Sequence, residues 1–321
     1  KVVWNLNQDQ FMFNILGKRY LFFGLSLILI LPGILLAIFY GLNLSVDFTG
    51  GTLIEVKFES GDNPQLEEIV GIYNQFDVTD VQVQTTGDNT IIARSSFLED
   101  ATRAEILAAI EQDAGEQVTI IRIDSVGATI GQEVTLRAAL AIAVAAIIVV
   151  IYITFAFRGM PNAFRNGVCA IIAELHDVLI IFSLVMIGGI LWGWQIDALF
   201  LTALLTVIGF SVQDTIVVFD RIRENSAIYR RLPFETLVNH SIIQTLQRSI
   251  NTQLMTVEFM LLALVLFGGL TLRQFAVILL VGLFSGTYSS IFIAAPVLVV
   301  WENREWQNWF GRGKKKKQAA A

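Results

Sequence analysis

Six stretches of this 321-residue chain are apolar for long enough to cross a lipid bilayer, which restricts the folds open to it. They run at about Tyr20–Tyr40, Leu136–Phe157, Phe164–Leu191, Ala198–Phe219, Ser249–Phe267 and Phe275–Val300. A helix rising 1.5 Å per residue needs about 20 apolar residues to cross about 30 Å of hydrocarbon. The chain is 55% hydrophobic and only 16% charged, against about 25% charged in a soluble domain. The expectation is a membrane α-helical bundle of six transmembrane helices. Lys18 and Arg19 ahead of the first run resemble the start of a signal peptide, but the run exceeds the usual apolar length of one and no Ala-x-Ala site follows. It is read as a retained helix. Cys169, the single cysteine, forms no internal disulfide and is read as a small buried residue.

Between the first and second runs lies the one long polar insertion. From residue 43 to 133 there are 17 acids against four bases, a net charge of −13 that leaves +7 for the rest of the chain. Bases in short loops mark the cytoplasmic side of a membrane protein. Lys18 and Arg19, Arg158 and Arg165, Arg221 through Arg231, and Arg312 with Lys314–Lys317 all fall on one side of six alternating spans. Both termini are therefore expected in the cytoplasm and the acidic insertion on the outer face. The organisation expected is a cytoplasmic N-terminus and first helix (1–42), a periplasmic domain (43–133), helices two to six (134–301) and a basic cytoplasmic tail (302–321). The lysine run reads as a positive-inside tail; contact with anionic lipid, the ribosome or nucleic acid is the alternative.

Within the insertion, "TLIEVKF" alternates as a strand, with Glu55 as the exception, and "NPQLEEIVGIYNQF" has helical spacing after Pro64. "TDVQVQTTGDNTIIARSS" alternates on both sides of Gly87-Asp88-Asn89, a hairpin. "LEDATRAEILAAIEQDAG" is a second helix, capped by Asp100 or Thr102 and stopped at Gly115, and "QVTIIRIDSVG" is a last strand. The order β-α-β-β-α-β is that of an α+β ferredoxin-like domain. No metal cluster, nucleophile with a base, or Gly-rich phosphate loop is present, so a binding or lever domain is expected rather than an enzyme.

Ionisable groups recur inside the apolar runs. The third holds Glu174, His176 and Asp177, the fourth Asp214, and the fifth Glu258, with Arg248 at its opening edge. An ionised side chain at a helix centre costs about 2.5–3.5 kcal/mol on insertion scales, and such groups face the bundle interior. Glu174 and Asp177 share a helix face, as do Ser211, Asp214 and Thr215. Two readings stand: polar glue between helices, or a proton relay in which Asp214 loads and releases a proton as Arg248 approaches or withdraws. Gly282 and Gly286 form a small-xxx-small packing pattern.

The stretches "LNLSVDFTGGTLIEV", "HDVLI", "GFSVQDTIVVFDRIREN", "RSINT" and "GTYSSIFIAAP" closely resemble the SecF family of the bacterial protein-export machinery, over nearly the whole chain. The resemblance implies the resistance-nodulation-division superfamily, six spans and a ferredoxin-like periplasmic domain. It implies pairing with SecD, association with the SecYEG channel and often YajC, and proton flow used to draw an unfolded preprotein across the bilayer. No enzymatic activity, cofactor, metal or nucleic acid is implied. On the same basis Asp214 and Arg248 are relay residues. His176, Asp177, Glu174 and Glu258 are accessory candidates. Asp47, Phe48, Gly50, Gly51, Asp220, Arg221 and Arg223 are structural motif residues. Glu174 and Glu258 stand where the family usually has apolar residues, and Gln213 where it commonly has Asn. The expected location is the inner or plasma membrane, or the thylakoid in a photosynthetic source. The alternatives are a proton-coupled lipid or small-molecule transporter of the same superfamily, and a non-conducting scaffold.

Overall fold

The computed structural model describes residues 14–59, 65–86, 89–158, 163–253, 259–267 and 270–309. They form two compact units: a mixed unit of residues 36–144 and 185–201, and a helical unit built from the rest.

The mixed unit contains a short helix α2 (Val46–Thr49), strands β1 (Gly51–Lys57), β2 (Gln82–Thr86), β3 (Thr90–Ser95) and β4 (Thr119–Val126), and helices α3 (Leu66–Gln75) and α4 (Asp100–Ala114). All strand pairs are antiparallel, in the order β2-β3-β1-β4. Ile69, Ile72 and Tyr73 of α3 and Ile106 and Ile110 of α4 pack on Ile54, Val56, Ile91 and Ala93 of the sheet. Glu55, which breaks the apolar alternation, lies directly opposite Arg122 of β4; burial pushes its carboxyl up while that guanidinium lowers it. At α4 the residue in the N-cap position is Glu99, without a side-chain cap, so neither Asp100 nor Thr102 caps the helix. Asp100 instead pairs with Arg103 at 2.8 Å. Gly115 ends α4 in the left-handed conformation, φ +67°. Pro64, Gly87 and Asp88 lie outside the described residues.

Gly50 and Gly51 have φ of +72° and +123°, which side chains other than hydrogen strain to adopt. A Cβ on Gly50 would stand 2.8 Å from the Ala128 Cα, and one on Gly51 2.5 Å from the Ser95 carbonyl oxygen. Both glycines are thus demanded by conformation and by space. Asp47 and Phe48 lie in α2: the Asp47 carboxylate accepts from the Ala198 N–H at 3.1 Å, and the Phe48 carbonyl accepts from Thr135 at 2.9 Å.

The remaining helices are α1 (Arg19–Tyr40), α5 (Ala128–Ala156), α6 (Ala163–Trp192), α7 (Ala198–Ile228), α8 (Phe234–Gln253), α9 (Phe259–Phe267), α10 (Leu270–Ser289), α11 (Ala295–Glu302) and α12 (Trp306–Trp309). A single π turn, Ser290–Ala294, joins α10 to α11. Among the described residues five helices are long and apolar enough to cross a membrane: Leu16–Tyr40, Ala128–Ala156, Ala163–Trp192, Ala198–Ile228 and Leu272–Glu302. The chain is a multi-pass membrane protein. The run expected at Ser249–Phe267 includes residues 254–258, outside the described residues; α8 and α9 flank them. Helix α5 begins at Ala128, eight residues ahead of its apolar run, and carries Glu133 and Arg137 as an i,i+4 pair at 2.5 Å.

Close helix contacts in the helical unit depend on small residues. A Cβ on Gly33 would fall 2.2 Å from the Ser183 Cα, and one on Gly282 2.4 Å from Val207. Pro32 lies inside α1, where its ring interferes with the helical ladder. One residue on, the Gly33 N–H donates to Ser183 Oγ at 3.1 Å, and that hydroxyl donates to the Leu29 carbonyl at 2.6 Å. Ser183 of α6 thereby bridges the Gly33 N–H and the Leu29 carbonyl of α1. Cys169 is fully buried in the apolar core with Ile153, Phe157, Ala170 and Ala173.

Candidate functional site: buried carboxylates between membrane helices

Asp177 of α6 is 0% exposed, and three serine hydroxyls and a histidine surround it. Ser285 of α10 donates to Oδ1 at 2.6 Å, and Ser211 of α7 and Ser289 of α10 donate to Oδ2 at 2.6 Å each. His176 Nδ1 lies 3.1 Å from Oδ1. The glycine spacing of α10 makes this convergence feasible, since a Cβ on Gly286 would reach Ser211 Cβ at 3.0 Å. On its other side His176 Nε2 is 3.0 Å from Ser26 Oγ of α1. Ser26 donates to the Tyr288 hydroxyl at 3.3 Å, and Tyr288 donates to the Phe22 carbonyl at 3.0 Å. The His176 and Tyr288 rings stack at 5.8 Å. A continuous polar path therefore joins α1, α6, α7 and α10.

Two more carboxylates are buried in this unit with far fewer bonds. Asp214 of α7 is 7% exposed and accepts from Thr287 Oγ1 at 3.2 Å; the Gln253 amide lies against it. Glu174 of α6 is also 7% exposed, and neither of its oxygens has a hydrogen-bond partner. Burying a polar group without a partner is costly, and the inventory extends to Thr215, Ser249 and the Gln253 oxygen.

The structure brings Glu174, His176, Asp177 and Asp214 into the interior of the helical unit. It does not pair Asp214 with Arg248. Arg248 is exposed near the end of α8; no ion pair joins the two, but Arg248 is close enough for its charge to act on Asp214. Glu258 lies outside the described residues. Asp220 and Arg223 form an i,i+3 pair at 2.6 Å on α7, while Arg221 reaches Gln244 of α8 at 2.5 Å and Glu224 at 2.7 Å. Buried Asn225 at the end of the same block donates to Ser241 at 2.8 Å and Gln244 at 3.0 Å, tying α7 to α8. Sequence reasoning missed Asn225, the serines around Asp177, and α8 itself.

Residues 106–304 match the family described as "Protein export membrane protein SecD/SecF, C-terminal", and residues 35–62 match the "SecD/SecF GG Motif". Protein translocase subunit SecF of Anaerolinea thermophila is 65% identical over 95% of this chain and 99% of its own length. Protein translocase subunit SecDF of Thermus thermophilus is 35% identical over 82% of this chain and 35% of its own. The crystal structure of SecDF from the same organism, described as a translocon-associated membrane protein, superposes with a TM-score of 0.77 at 32% identity, covering 91% of this chain and 39% of that one.

Proposed function

The chain belongs to the SecD/SecF family, on its SecF side, and from that premise we propose that it is a proton-driven accessory subunit of protein export. The translocase-subunit relatives support the export role. In this reading the chain has six spans, a ferredoxin-like unit on the periplasmic face and both termini in the cytoplasm of an inner or plasma membrane. SecD is its partner, supported by the SecDF relatives, of which this chain spans about two-fifths or less. The sides of α5, whose apolar window is 6% buried, leave room for a second set of spans. The complex works at the SecYEG channel, with YajC, on unfolded preprotein.

The observation that carries the reading is the contrast between two acids in one interior. Asp177 is enclosed by three serine hydroxyls and His176 and is held in one geometry. Asp214 has a single hydroxyl and an amide beside it and no ion pair, with the Arg248 charge acting on it only through space, so its surroundings can change without breaking a network. Arg248, on the adjoining stretch of α8, is free to approach or withdraw. One charge moved across 100 mV is worth about 2.3 kcal/mol, enough to favour one of two helix arrangements over the other by roughly fifty-fold. Asp177 and His176 act as the frame against which Asp214 moves.

Replacement of Asp214 by Asn tests this. Preprotein movement into inverted membrane vesicles, with and without a proton gradient, should lose at least about tenfold of the gradient-dependent increment. The SecD complex should still co-purify. An unchanged increment with an intact complex would show a scaffold.

A further inference from the structure

The mixed unit contains a cavity of about 690 Å³ whose lining residues all belong to that unit. One wall is polar: Gln82, Gln84 and Thr85 of the edge strand β2, with Arg94 of β3. The opposite wall is the end of α1 at Tyr40 and the end of α6 at Ile190, Leu191 and Trp192, where exposed apolar side chains continue out of the cavity. Tyr40 and Trp192 are the last residues of two candidate spans, and aromatic residues at span ends mark the level of lipid headgroups. The cavity therefore opens where hydrocarbon gives way to water.

Its charge is unbalanced. No Asp or Glu lines it, and among the described residues no carboxylate pairs with Arg94. With the Gln195 amide turned so that its oxygen faces β3, that oxygen accepts from Arg94 Nε at 2.8 Å and Nη2 at 3.0 Å, leaving Nη1. Burial disfavours the charged guanidinium, as no neighbouring acid offsets it. A planar guanidinium in this position suits a phosphate oxygen pair. The volume is that of a small-molecule site.

We propose that this cavity holds the headgroup of an anionic phospholipid, its phosphate on Arg94 and its acyl chains along Ile190, Leu191 and Tyr40. A membrane lipid fits better than a dissolved phosphate. The surrounding insertion carries a net −13 and repels free anions, whereas a lipid is kept at this depth by its chains.

The full-length chain, delipidated in mild detergent, would be offered phosphatidylglycerol, phosphatidylcholine or glycerol 3-phosphate and examined by native mass spectrometry. Phosphatidylglycerol should be retained about tenfold better than phosphatidylcholine, a typical gain from one charge-assisted contact, and glycerol 3-phosphate should not bind. Arg94→Gln should abolish the preference and Arg94→Lys should keep part of it. Equal retention of the two lipids by the wild type, or an undiminished preference in Arg94→Gln, overturns the proposal. A second measurement needs no variant: phosphatidylglycerol should slow phenylglyoxal modification of wild-type Arg94 about tenfold relative to phosphatidylcholine. No protection by phosphatidylglycerol overturns the assignment, as does protection by an unfolded polypeptide alone.

Discussion

Three serine hydroxyls and His176 converge on Asp177, and their contributions are separable by measurement. Hydrogen bonds between membrane helices average about 0.6 kcal/mol each, so Ser211→Ala, Ser285→Ala and Ser289→Ala should each lower stability by about that amount. Asp177→Leu strands all of them at once and should cost roughly 2–4 kcal/mol, read as a loss of thermal stability in detergent. If Asp177→Leu costs no more than one serine variant, the hub is not a hub. A charge within an apolar run announces itself, which is why Glu174, His176, Asp177 and Asp214 were legible in the sequence. Their partners were not. A serine in a membrane helix bonds its own backbone as readily as a neighbour's carboxylate, and Ser289 does both, donating also to the Gly286 carbonyl at 3.1 Å.

Helix α1 offers an internal comparison of two glycines. Nothing lies within 4 Å of a Cβ placed on Gly24, whereas one on Gly33 meets the backbone of Ser183. Gly24→Ala should be neutral or stabilising by up to about 1 kcal/mol through helix propensity. Gly33→Ala should cost about 1–3 kcal/mol through overpacking; equal melting temperatures for the two variants would refute the close contact. The start of α7 invites a pH experiment. Asp197 accepts from the Phe200 N–H at 2.7 Å, yet burial and then the Asp47 charge raise its pKa. A raised folded pKa means that the fold binds this proton more tightly than the unfolded chain. The resulting stability is full below the unfolded value, about 3.9, and is lost as pH rises through the folded one. Asp197→Asn keeps the capping oxygen and should flatten the pH dependence of unfolding in that window, with no loss at neutral pH; an unaltered slope would count against it. Among elements, the strands and the long spans were readable from alternation and from apolar length. Helix α8 was not, because its buried residues are Leu237, Val238, Asn239, Ser241, Ile242, Thr245, Ser249 and Gln253. Five of these eight are polar, and none of the last three is apolar, so a search for apolar periodicity passes over it.

For the molecule as a whole, charge asymmetry predicts which surface faces which compartment. The only native thiol, Cys169, is fully buried, so introduced cysteines should report cleanly. Glu105→Cys in the mixed unit should react with an impermeant maleimide in intact cells with an opened outer boundary, and Arg230→Cys only after the inner membrane is permeabilised. The reverse result would invert the topology. Family membership was readable from five short blocks, four of which fall where backbones touch or carboxylates are enclosed. What lay beyond reading was the way α10 continues into α11. A π turn holds one residue more than an α turn, so Ser290–Ala294 shifts the helical phase by about 100°. Ser285 and Ser289 before it address Asp177, while Ala295, Leu298 and Val299 after it address the apolar core. Deleting any one residue of that turn would leave a more regular helix whose two halves no longer agree on which way is inward.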